Sequence, residues 1–163
     1  MRLKKTVMIL VTCAIVGLVI SPMAAQAEGL IVVASKSTYQ GSQRWVDFLT
    51  KEGIDLKNVV PAEFNKHQNE EFIVLMGGMN EPGIKDLVKK AVGNKEAAAL
   101  TKKGAKNMYV RSNVWGPGQN VLIFAGADVA AAEKVRKDNK EEWFEIIAEW
   151  FELETGGPSL HGY

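Results

Sequence analysis

Three segments place glycine and small polar residues directly after apolar runs. They are Ser35-Lys36-Ser37-Thr38, Gly77-Gly78-Met79-Asn80 and Gly126-Ala127-Asp128. In an open α/β sheet, ligands gather beyond the carboxyl ends of the strands. Glycine lets the backbone approach a partner closely, and helix N-termini offer N–H groups that favour anions. Lys36 would add charge there. Ser37, Thr38, Ser42 and Asn80 would add hydrogen bonds. That chemistry suits a small anionic or sugar-like ligand. The competing account is purely structural, because sharp turns need glycine and Ser, Thr and Asn cap helices. Glu81 and Asp128 also put negative charge where an anion would sit.

Other chemistry has less to work with. There is no Gly-x-Ser-x-Gly elbow. The segment Gly77-Gly78-x-x-x-Pro82 lacks the third glycine of a dinucleotide fingerprint and the Gly-Lys-Ser/Thr ending of a phosphate loop. The one cysteine, Cys13, lies in a segment expected to be removed. His67 and His161 have no neighbours at metal-ligand spacing, so no metal site, no cofactor and no catalytic residue is assigned. Asp47, Asp55, Asp86 and Asp128 show no spacing that demands paired carboxylates. Of the four tryptophans, Trp45, Trp143 and Trp150 lie on apolar helical faces and read as core. Trp115 precedes a hairpin turn and is a candidate contact for a glycan or partner protein. Phe144 and Phe151 widen the apolar face of the last helix, as a contact with another chain would.

These segments need elements to hold them. Leu30–Ala34, Phe72–Met76 and Leu122–Ala125 are continuous apolar runs and predict strands buried on both faces. Lys57–Pro61 predicts a shorter strand ended by Pro61. Asn107–Trp115 and Asn120–Phe124 flank Gly116-Pro117-Gly118-Gln119 and predict a hairpin. Trp45, Val46, Phe48 and Leu49 recur at helical spacing, as do Ile84, Leu87, Val88 and Ala91. Pro82 is expected in the first turn of the latter helix. A shorter helix follows from Asn94. Helical periodicity resumes at Val129 and continues to Leu153, as one helix or as two broken at Asp138-Asn139. Residues 35–41 and 62–70 read as polar loops. The expected fold is α/β: a three-layer αβα sandwich with a mainly parallel sheet and an antiparallel hairpin edge.

Residues 1–27 predict a secretory signal. Arg2, Lys4 and Lys5 form a basic start, and Thr6–Ile20 is a 15-residue apolar run. Ala25-Gln26-Ala27 supplies a small-x-small cleavage pattern. The run is short against the ~20 residues that span a bilayer, so no membrane span is expected after cleavage. The exported chain, extracellular, periplasmic or on the cell surface, would begin at Glu28. It would comprise an α/β domain over 28–154 and a tail over 155–163. The sequence has 20 basic and 19 acidic residues. Without the three basic residues of the signal, the net charge is −2, which argues against a nucleic-acid partner.

Phe72–Pro82 resembles the strand–Gly-Gly–x–Asn turn of α/β domains in archaeal S-layer and S-layer-like surface proteins. Val114–Asp128 is similar to their later hairpin, strand and Ala-Gly-x-Asp turn, and Ala130-Ala131-Ala132 to the helix start that follows. The similarity spans roughly residues 29–136. It implies a non-catalytic surface module that meets an envelope polymer or a partner protein, and it points to no catalytic residue. The alternative is a secreted hydrolase or transferase acting at the carboxyl ends of the strands.

Overall fold

The apolar run that begins at Leu30 becomes an inner strand of a five-stranded sheet, and the run at Phe72 becomes its centre. The computed structural model describes residues 29–153. The expected signal peptide with Cys13, the tail with His161 and the start at Glu28 lie outside the described residues. The strands are β1 Leu30–Val33, β2 Leu56–Val59, β3 Phe72–Gly78, β4 Lys106–Ser112 and β5 Asn120–Gly126. Their order is β2-β1-β3-β5-β4. β1 pairs in parallel with β2 and β3, and β3 with β5, while β4 pairs antiparallel with β5. Every residue of β1 and β3 is buried, as a strand covered on both faces requires. The edge strands β2 and β4 mix exposed and half-buried residues, with Val59 alone buried.

Successive strand residues point to opposite faces, which divides the core in two. One half packs Leu30, Val32, Phe72, Val74, Met76, Leu122 and Phe124 against α2 Gln43–Lys51, α5 Val129–Asp138 and α6 Lys140–Trp150. The other packs Ile31, Val33, Ile73, Leu75, Val121 and Ile123 against α3 Ile84–Val92 and α4 Asn94–Leu100. The architecture is therefore the expected αβα sandwich, parallel-dominated with an antiparallel hairpin at one edge.

Local chemistry moves several boundaries. The segment expected as a loop after β1 is helical, α1 Lys36–Gly41, because Ser35 Oγ accepts the Thr38 N–H at 3.3 Å and caps the turn. Pro61–Lys66, spanning the expected strand end at Pro61 and the start of the loop expected over 62–70, form a 3-10 helix that buries Phe64. Pro82 does not enter α3. Gly83, at φ 83°, ends the bend against Pro61 and α3 begins at Ile84. β4 stops at Ser112, where Asn113 turns the chain at φ 56°. The last helical region is two helices. Asn139 breaks it with φ −112° and ψ 38°, and its side-chain amide donates to the Val135 carbonyl at 2.7 Å.

Phe144 and Phe151, expected to widen an apolar contact face, each pack one side onto the core. Phe144 packs on Phe48 with ring centroids 5.4 Å apart, and Phe151 on Phe72 at 4.8 Å. Both are half-buried against the core. No helix among the described residues is long and apolar enough to cross a membrane.

Candidate functional site

Strand order reverses between β1 and β3: the chain leaves β1 for β2 on one side and returns to β3 on the other. In such sheets the crevice outside these carboxyl ends is where ligands collect. The fold brings Ser35 to Thr38 from β1 and Gly77 to Glu81 from β3 to this edge, with Gly126 to Asp128 from β5 beside them.

The chain fills that crevice with its own carboxylate. Glu81 Oε2 accepts the Gly78 N–H at 2.8 Å, and Glu81 Oε1 accepts the Thr38 hydroxyl at 3.3 Å. Thr38 is 1 % exposed and also accepts from Ser35 Oγ at 2.8 Å. Hydrogen bonds to a charged acceptor are each worth about 1.5–3 kcal/mol net. The glycines serve this closure. A Cβ on Gly77 would strike the Glu81 carboxylate and come within 3.1 Å of Ile84. On Gly78 it would strike Asn80 Oδ1 and come within 2.5 Å of the Asp128 carbonyl carbon. On Gly126 it would lie 2.6 Å from the Ala132 nitrogen. Asp128 caps α5, its Oδ1 accepting the Ala131 N–H at 2.8 Å. Lys36, Ser37 and Asn80 are exposed at the rim. Ser37 Oγ lies 3.1 Å from Ser35 Oγ. The expected site residues thus share one edge: Thr38, the Gly78 N–H and Asp128 are committed to Glu81 or to a helix cap, and Lys36, Ser37 and Asn80 stand at the rim.

Trp115 lies on the hairpin loop, half-buried, with its ring 4.7 Å from that of Phe64 in an edge contact. Gln119 fixes the loop from beneath. Its Oε1 accepts the N–H groups of Trp115 at 2.8 Å and Gly116 at 2.9 Å. Its amide nitrogen donates to the carbonyls of Gln68 and Glu70. His67 pairs with Glu70 at 3.3 Å, on the approach to β3 at the amino edge of the sheet. Seven strand residues, roughly 20 Å, separate that approach from the crevice.

A second concavity lies elsewhere. A cavity of about 430 Å³ opens where the start of α2 meets the junction of α5 and α6. Trp45, Phe48 and Trp143 give it apolar walls, and Arg44, Arg136, Lys137 and Lys140 give it cations. Arg136 is 8 % exposed, and its guanidinium carbon sits 5.8 Å from the Trp45 ring centre. Burial pushes its pKa down from the ordinary value, and the Glu133 charge opposes that shift. Trp45 and Trp143 read as core in the sequence, and Arg44 and Arg136 carry no signal there. The charged interruption Lys137-Asp138-Asn139-Lys140 inside an apolar stripe was the one trace of the cavity in the sequence.

No family model, curated protein or solved structure matches the chain.

Proposed function

We propose that the chain is an exported, non-catalytic α/β module that binds an envelope polymer or a partner protein. The observation that carries this reading is the internal carboxylate of Glu81 in the strand-end crevice, with both oxygens bonded. An enzyme of this architecture would hold its substrate there. A crevice committed to capping bonds favours a module that binds through its surface over a hydrolase or transferase. The envelope assignment draws on the similarity of Phe72–Pro82 and Val114–Asp128 to the S-layer-like domains, and the export assignment on residues 1–27.

The test is fractionation of source cells with intact-mass measurement of the recovered protein. The reading expects a chain beginning at Glu28 in the envelope or extracellular fraction. A chain retaining Met1 in the cytosol would overturn it.

A further inference from the structure

Two residues that line the cavity between α2, α5 and α6 carry buried donors without acceptors. The Arg136 Nε hydrogen and the Trp45 indole N–H are both buried, and neither has a hydrogen-bond partner. Both residues line the cavity. The contact of the guanidinium with the Trp45 ring accounts for its charge over the ring face but leaves the Nε hydrogen unpaired. Buried polar groups in folded proteins are nearly always satisfied, so two orphaned donors mark this wall as unusual. Each has less than 1 Å² of accessible surface, so a ligand in the cavity would be held by the cations that line it.

The surroundings say what kind. Arg44, Lys137 and Lys140 line the cavity with Arg136, and no carboxylate lies among the lining residues. Glu133 stands close by, 3.4 Å from Lys137, and offsets one of those charges. Asp47 is engaged with the Gln43 side chain at 2.8 Å. The helix starts of α2 and α6 border the same space. Neither has a side-chain cap: Ser42 Oγ turns back to the Thr38 carbonyl, and the Asn139 amide to that of Val135. Several cations and two helix starts suit a doubly charged acceptor better than a single carboxylate. The three aromatic walls suit an apolar body attached to it.

We propose that this cavity binds a small organic phosphate, its oxygens accepting from Arg136 with Lys137 and Lys140 nearby, its body against Trp45, Phe48 and Trp143. The site is separate from the strand-end crevice and does not depend on export or envelope binding.

Calorimetric titration of the purified protein at low salt tests it, with phenyl phosphate, inorganic phosphate, benzoate and phenol as probes. Phenyl phosphate binds saturably at one site. Inorganic phosphate and benzoate bind about tenfold more weakly, and phenol shows no saturation. Arg136→Met lowers phenyl phosphate affinity by about tenfold or more, and Lys140→Gln by about threefold to tenfold. Lys102→Gln, away from the cavity, leaves it unchanged. If Arg136→Met lacks the native circular dichroism spectrum, Lys140→Gln and Lys137→Gln decide. Absence of saturable phenyl phosphate binding, or equal affinity in the cavity variants, overturns the site. Benzoate binding as tightly as phenyl phosphate overturns the phosphate assignment, and equal affinity for inorganic phosphate overturns the organic body.

Discussion

The Thr38 hydroxyl donates to the Glu81 carboxylate across 3.3 Å, joining residues 43 positions apart. That bond links the first turn after β1 to the turn after β3, at the point where strand order reverses. It explains why a segment with the composition of an anion cradle is occupied from within. The carboxylate is covalently tethered, so it reaches the Gly78 N–H without the loss of translational freedom that a free ligand would incur.

Removing that carboxylate should weaken the closed edge. Glu81→Ala leaves the Gly78 N–H and the Thr38 hydroxyl without their acceptor. A loss of about 1–3 kcal/mol in unfolding free energy is expected. Glu81→Gln keeps an acceptor and should lose less. Chemical denaturation of the two variants checks the order, and equal stability to wild type would show that water replaces the carboxylate freely.

Two glycines separate packing from turn chemistry. Gly78→Ala forces a methyl to within 2.5 Å of the Asp128 backbone and should cost about 1–3 kcal/mol. Gly116→Ala meets nothing nearer than Asn69 Oδ1 at 3.8 Å and should stay within about 0.5 kcal/mol of wild type. Thermal melts of the pair give the comparison.

Gln119 is 2 % exposed and ties the hairpin loop to the approach of β3. Gln119→Leu fills the space but orphans the Trp115 and Gly116 amides and the two carbonyls it served. The expected cost is about 1–3 kcal/mol. Tryptophan emission should shift as Trp115 leaves its contact with Phe64. A variant with unchanged stability and emission would mean that the loop holds its place without this side chain.

Asp138 carries a pH dependence. Hydrogen bonds from Lys106, then from Lys134, hold its pKa below the ordinary 3.8. A depressed carboxyl pKa contributes stability above the unfolded value, and that stability is lost as pH falls through the folded value. Lys134 shows the opposite sign. Its pKa is raised chiefly by the hydrogen bond to Asp138, so its contribution is present below 10.5 and lost as pH rises through the folded value. Asp138→Asn should therefore flatten the acid limb of the stability curve below about pH 4 and remove the alkaline limb due to Lys134. Melting temperatures from pH 2 to 11 would show it; unchanged limbs would contradict it.

The layered sheet was legible because β1, β3 and β5 are unbroken apolar runs, and no charge within them leaves their burial ambiguous. Edge elements were less so. α1 rests on one capping hydroxyl, Ser35, inside a run of Ser, Lys, Thr and Gln that carries no apolar stripe. The start of α3 follows Gly83, held at φ 83° where a Cβ would come within 2.9 Å of Pro61, a closeness set by the fold and not by neighbouring sequence. The strand-end edge was legible as a gathering of small polar residues. The destination of the Glu81 carboxylate was not, because it depends on the spacing of β1 and β3 in the sheet. The cavity at Arg136 was hidden for the same reason. Its walls come from α2 and from the α5–α6 junction, nearly a hundred residues apart, and each wall alone has the pattern of an ordinary amphipathic helix.

Binding to the envelope is the claim on which the functional reading turns. Its most direct measurement is sedimentation of the purified protein with washed envelope fragments from the source cells, over a range of protein concentrations. Saturable recovery in the pellet, retained by Glu81→Gln, is the predicted result. Protein that remains in the supernatant at every concentration would contradict it.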